Sequence, residues 1–96
     1  MSSFAQAEYA NAVYCNFERG KQLSSLFTDL TPSVLLAKLE AYKRRKIMPE
    51  KTLIIFDEIQ ACPEAMTSLK YFCEEAKEYH VIALGSLQRH VLFIAI

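Results

Sequence analysis

Residues 52–60, TLIIFDEIQ, set four apolar side chains in a row and then two adjacent carboxylates and an amide. The run Leu53-Ile54-Ile55-Phe56 does not alternate apolar with polar, so it does not read as a strand with one wet face. Unbroken runs of this length are typical of central strands in a sheet covered on both sides. An ionised carboxylate is costly to bury unless it is paired or faces a metal. Asp57 and Glu58 therefore mark the point where such a strand leaves the interior.

The flanking segments supply the partners this strand needs. Ala12 to Phe17 is rich in aromatic and branched residues and stops at Glu18-Arg19-Gly20, which predicts a strand. Thr31-Pro32 opens a helix, with a hydroxyl cap followed by a proline whose missing N–H costs nothing in the first turn. Leu35, Leu36, Leu39 and Tyr42 follow at helical spacing, and Lys43 to Lys46 falls at the C-terminal end. After the break at Met48-Pro49, the strand Thr52–Phe56 begins. Pro63 starts a second helix reaching about Lys77, with Ala65, Leu69, Phe72 and Ala76 on one stripe. Val81 to Leu84 predicts a third strand, ending at Gly85-Ser86. Strand, helix, strand, helix, strand argues for a parallel α/β sheet in one domain over residues 1–96.

Totals narrow the function. Eleven basic residues balance eleven acidic ones, and 52% of the chain is hydrophobic, so no global basicity points to nucleic acid. The basic run Lys43-Arg44-Arg45-Lys46 reads as the last turn of a helix, where the helix dipole favours cations. Cys15, Cys62 and Cys73 are an odd, scattered set that fits neither a disulfide scaffold nor a thiolate metal site, and His80 and His90 lack neighbours for one. Residues 1–10 are a helix or a tail, without the charged start and apolar core of a signal peptide. The apolar stretch VLFIAI falls well short of the roughly 20 residues a membrane helix needs. It reads as a further strand or an exposed adhesive tail. A cytoplasmic location is the expectation.

In open α/β sheets, ligands gather at the C-terminal ends of the strands. Asp57 is placed there. One aspartate at such a point can serve Mg²⁺, which binds through one or two carboxylates plus substrate phosphates, and an adjacent glutamate can polarise a water. The stretch TLIIFDEIQACPEAMTSLKYFCEEAKEYHVIALGS resembles a bacterial and archaeal family of P-loop ATPases of the AAA superfamily, in which the ATPase domain is followed by a long domain of unknown function. The resemblance is strong over residues 52–87 and weaker over 11–51; residues 88–96 resemble nothing in it. It implies a partial P-loop NTPase fold, with three mostly parallel strands and flanking helices. It implies ATP and Mg²⁺ as cofactors of the complete protein, Asp57 as the residue that orients the metal, and Glu58 as the general base. Ser86 falls near the polar residue that senses the γ-phosphate. Gln60 completes the Asp-Glu-Ile-Gln pattern with no chemical role attached.

The phosphate loop G-x-x-x-x-G-K-[ST] does not occur in the 96 residues. Gly20-Lys21 has no glycine five residues upstream and reads as a turn. In the resembling family the loop lies upstream of Ala12, and its strand sits beside the one ending at Leu84. The expectation is thus an internal piece of an ATPase, inactive alone, with that sheet edge exposed. The exposed edge and residues 91–96 are then candidate surfaces for a protein partner or self-association. The alternative is a non-catalytic α/β interaction module.

Overall fold

The computed structural model describes residues 9–87 and 90–95, with the backbone alone for residues 87 and 90–95. Four strands make one sheet in the order β1-β2-β3-β4: β1 Asn11–Asn16, β2 Thr52–Asp57, β3 His80–Leu87 and β4 His90–Ala95. β1, β2 and β3 are parallel neighbours, with Val13 opposite Ile54 and Ile54 opposite Val81. The apolar run does form a central strand, and Thr52 to Phe56 are all buried.

Alternation along the strands divides the core in two. Val13, Cys15, Ile54, Phe56, Val81 and Ala83 share one face with the buried residues of the helices. These helices are α1 (Lys21–Ser24), α2 (Pro32–Lys43) and α3 (Pro63–Glu75). Leu53 and Ile55 turn to the other face, where Tyr9, Ala12, Ile82 and Leu84 pack against them. On the helical face, Phe56 has ring centroids of Phe17, Phe27 and Phe72 at 5.3, 5.6 and 6.4 Å, all edge-on. Such pairs contribute about 0.5–1.5 kcal/mol each beyond the area they bury.

Pro32 and Pro63 open their helices, but neither helix takes a side-chain cap. The hydroxyl cap expected of Thr31 does not form; Thr31 instead donates its backbone N–H to Asp29 Oδ1 at 3.0 Å. α2 ends where Arg44 enters the left-handed region at φ 55°, and Arg45 N–H returns to the Glu40 carbonyl at 3.3 Å. Gly20 stands at the head of the short helix α1 rather than in a plain turn.

Two expectations change at the β3 side. The edge implied to be exposed along Leu84 is occupied: β4 pairs with β3 antiparallel, Leu84 opposite Phe93 and Ser86 opposite Val91. A strand edge presents unpaired N–H and C=O groups, and the branched, aromatic run VLFIAI suits it, so residues 91–95 are not a free tail. The other consequence is length. β2 pairs with β3 only as far as Ala83, yet β4 carries β3 on to Leu87, so Gly85 and Ser86 lie within a strand instead of after it. The sheet's outer strands are β1 and β4; residue 96 lies outside the described residues.

Candidate active site at the strand ends

Asp57 is the last residue of β2, half-buried, and opposite Asn16 of β1. It shares strand parity with Leu53 and Ile55, so its side chain leaves the sheet on the face away from the helices. The neighbouring strand supplies Tyr14 on that same face, and its hydroxyl donates to Asp57 Oδ2. Asp57 Oδ1 accepts the Glu58 backbone N–H at 2.9 Å. The Tyr14 phenol is held above its ordinary pKa, chiefly because the Asp57 carboxylate accepts a hydrogen bond from its hydroxyl, with partial desolvation adding to this. Asn16 Nδ2 reaches the Tyr14 oxygen at 3.4 Å, while Asn16 Oδ1 accepts the Glu18 and Arg19 N–H groups and turns the chain after β1.

At Glu58 the backbone turns sharply. Its φ of 53° and ψ of 45° are left-handed, a conformation that costs a residue with a Cβ roughly 1 kcal/mol or more. The turn leads directly into a single 3₁₀ turn, Ile59–Ala61, closed by Ala61 N–H on the Glu58 carbonyl at 3.0 Å. Ile59 is completely buried and anchors that turn in the main core. As a result Glu58 does not continue the strand's alternation. Its carboxylate Oε1 accepts Gln60 Nε2 at 2.9 Å, and Gln60 Oε1 in turn accepts the Ser86 N–H at 3.2 Å.

The strand ends thus bring Asp57, Glu58 and Ser86 to one end of the sheet, but in two groups: Asp57 with Tyr14, and Glu58 with Gln60 and Ser86. Tyr14 and Gln60 were not among the residues given a role from sequence. Strand alternation would have paired Tyr14 with Asp57 had the β1–β2 register been known, whereas nothing in the residue pattern signals the turn that brings Gln60 back to Glu58. A surface groove of about 750 Å³ is lined by Thr28, Asp29, Leu30, Thr31, Tyr71 and Glu75 and includes none of these groups.

Among the described residues, no cluster of three histidines, cysteines or carboxylates could hold a metal unaided. His80 is engaged through Nδ1 with the Tyr9 hydroxyl at 2.8 Å. Asp57 fits Mg²⁺ as a single anionic donor. Each of its oxygens takes one hydrogen bond and keeps a second lone pair, and Mg²⁺ is commonly held by one or two carboxylates with water and phosphate completing its octahedron.

A parallel three-stranded core with an acidic pair at the end of its middle strand restricts the possible families. The model of the family described as AAA domain matches residues 1–93. The chain belongs to that family. No curated protein and no solved structure matches it. The match links this AAA domain to the AAA ATPase superfamily, and its α/β fold, with parallel strands flanked by helices, agrees with a P-loop-like topology at that level. No helix among the described residues is long and apolar enough to cross a membrane.

Proposed function

We propose that this chain is a piece of an ATP-hydrolysing P-loop protein, from the AAA group whose ATPase domain precedes a long domain of unknown function, and that it works in the cytoplasm. The reading rests on one observation: the Asp57-Glu58 pair leaves the central parallel strand, with a left-handed residue sending the two carboxylates to different partners. Asp57 serves the metal, directly or through its water shell. Glu58 is the general base: Gln60 holds Oε1, and Oε2 has no protein partner among the described residues, leaving it to take a proton from the attacking water. The exposed Ser86 hydroxyl stands three residues past the end of the β2–β3 pairing at Ala83, where it can meet a phosphate oxygen. Bound Mg²⁺·ATP supplies the electrophilic phosphorus and the charge neutralisation. The cradle for its phosphates is not among the 96 residues, which contain no G-x-x-x-x-G-K-[ST].

The test uses a chain in which a phosphate-loop strand and helix are joined ahead of β1. Glu58→Gln there keeps size and hydrogen bonding but removes the base. ATP binding should persist while turnover falls about 10²–10⁴-fold, and Asp57→Asn should weaken the dependence on Mg²⁺. Unchanged turnover in Glu58→Gln refutes the base. A second reading, a non-catalytic interaction module, is favoured by the outer edge of β1, which no strand among the described residues covers. Saturable binding of a fluorescent ATP analogue by the 96 residues alone would overturn the view that the phosphate loop is indispensable and would weaken this second reading.

A further inference from the structure

Gln60 touches two elements at once. Its Nε2 donates to Glu58 Oε1 at 2.9 Å and its Oε1 accepts Ser86 N–H at 3.2 Å, a residue 26 positions away in the chain. That N–H is available because β2 stops pairing with β3 at Ala83, leaving the inner edge of β3 beyond it without a strand partner among the described residues. The seat is fitted to an amide. A Cβ on residue 85 would lie 2.4 Å from Gln60 Oε1 and 3.3 Å from Ile59 Cγ2, so the bare backbone of Gly85 is what admits Gln60. Both ends of one planar, conjugated amide are therefore engaged, one by an anionic side chain and the other by the backbone of β3.

We propose that Gln60 is a positioning residue that fixes the Glu58 carboxylate and couples its charge to the C-terminal end of β3. A donor bonded to a carboxylate is polarised, and in a conjugated amide this raises the electron density on the oxygen and strengthens the bond that oxygen accepts. The coupling is reciprocal, as any linkage between two sites must be. A ligand that engages the backbone or hydroxyl of Ser86 therefore alters how firmly Glu58 is held. The catalytic meaning of this relay rests on Glu58 being the general base; the relay itself does not.

The experiment is amide NMR of the 96-residue chain. Glu58→Gln should move the Ser86 amide proton upfield, because the amide of Gln60 loses its anionic partner. In the Gln60→Met background, which keeps size without either polar end, the same Glu58→Gln change should leave Ser86 unmoved. Gln60→Met alone should speed hydrogen exchange at Ser86 by about two- to tenfold, the range for loss of one net hydrogen bond. Gln60→Leu gives the same comparison should the methionine variant not fold. A Ser86 resonance indifferent to Glu58→Gln, or equally sensitive with and without Gln60, overturns the proposal. Turnover in the loop-bearing chain judges the general base separately: unchanged turnover in Glu58→Gln there refutes the base and leaves the relay standing.

Discussion

Asp57 divides its two oxygens between a backbone N–H one residue away and the Tyr14 hydroxyl across the sheet. An anionic acceptor favours the protonated phenol, which is why Tyr14 is held above the ordinary tyrosine range. Asp57→Asn keeps an acceptor and removes its charge, so the titration midpoint of Tyr14 should move down. Its Cζ resonance, followed through an alkaline titration, reads this directly, and an unmoved midpoint would show that the pair does not persist in solution. Asp57 and Glu58 were legible as candidates because an apolar run that ends in two carboxylates must end at a surface. Their partners were not. Tyr14 meets Asp57 only through the register of strands far apart in sequence, and Gln60 meets Glu58 only because residue 58 adopts a φ of 53°, a state that no propensity assigns to glutamate. Ser86 was expected just after the third strand and sits within it, for a reason that belongs to β4.

Elements followed the rules of short-range order where those rules are strong. Pro32 and Pro63 each opened a helix, and the unbroken apolar run became the buried central strand. α1 was missed because four residues carry no periodicity to read. The second helix stops at Glu75 instead of near Lys77, a difference of the size that frayed ends produce. Phe56 shows how much one position can contribute to an element. It is the penultimate residue of β2, is fully buried, and meets three other rings on the helical face. Phe56→Ala should destabilise the chain by about 3–5 kcal/mol through lost transfer energy and the cavity left behind. Tyr42→Ala, on an exposed part of α2, should stay within about 0.5 kcal/mol. Urea unfolding curves of the two variants compare them, and similar midpoints would mean that the ring cluster is not the centre of the core.

At the scale of the whole molecule, the order of the three parallel strands was readable from the apolar run alone, since a strand buried on both faces has to lie between neighbours. The fourth strand was left open between a strand and an exposed tail, because six apolar residues look the same whether or not an edge is available to pair with them. Global stability carries a further signature. Burial pushes the Cys15 thiol up to about 11, so above the ordinary thiol range the unfolded chain releases a proton that the folded one keeps. The stability from that difference is complete below about pH 9 and falls as the pH approaches 11, by up to about 1.4 kcal/mol per unit. Subtracting the denaturation profile of Cys15→Ala from that of the parent isolates it, and a difference flat across this window contradicts the burial of the thiol. The mixed sheet also imposes an order in time. Leu87 faces His90 across the hairpin, and such local pairings close in about 1–10 μs. Asn11 and Thr52 lie 41 residues apart, and pairing at that separation must first overcome the entropy of closing the intervening loop. During synthesis β1 emerges well before β2 and waits for it, whereas β4 follows β3 directly and can find its partner almost at once.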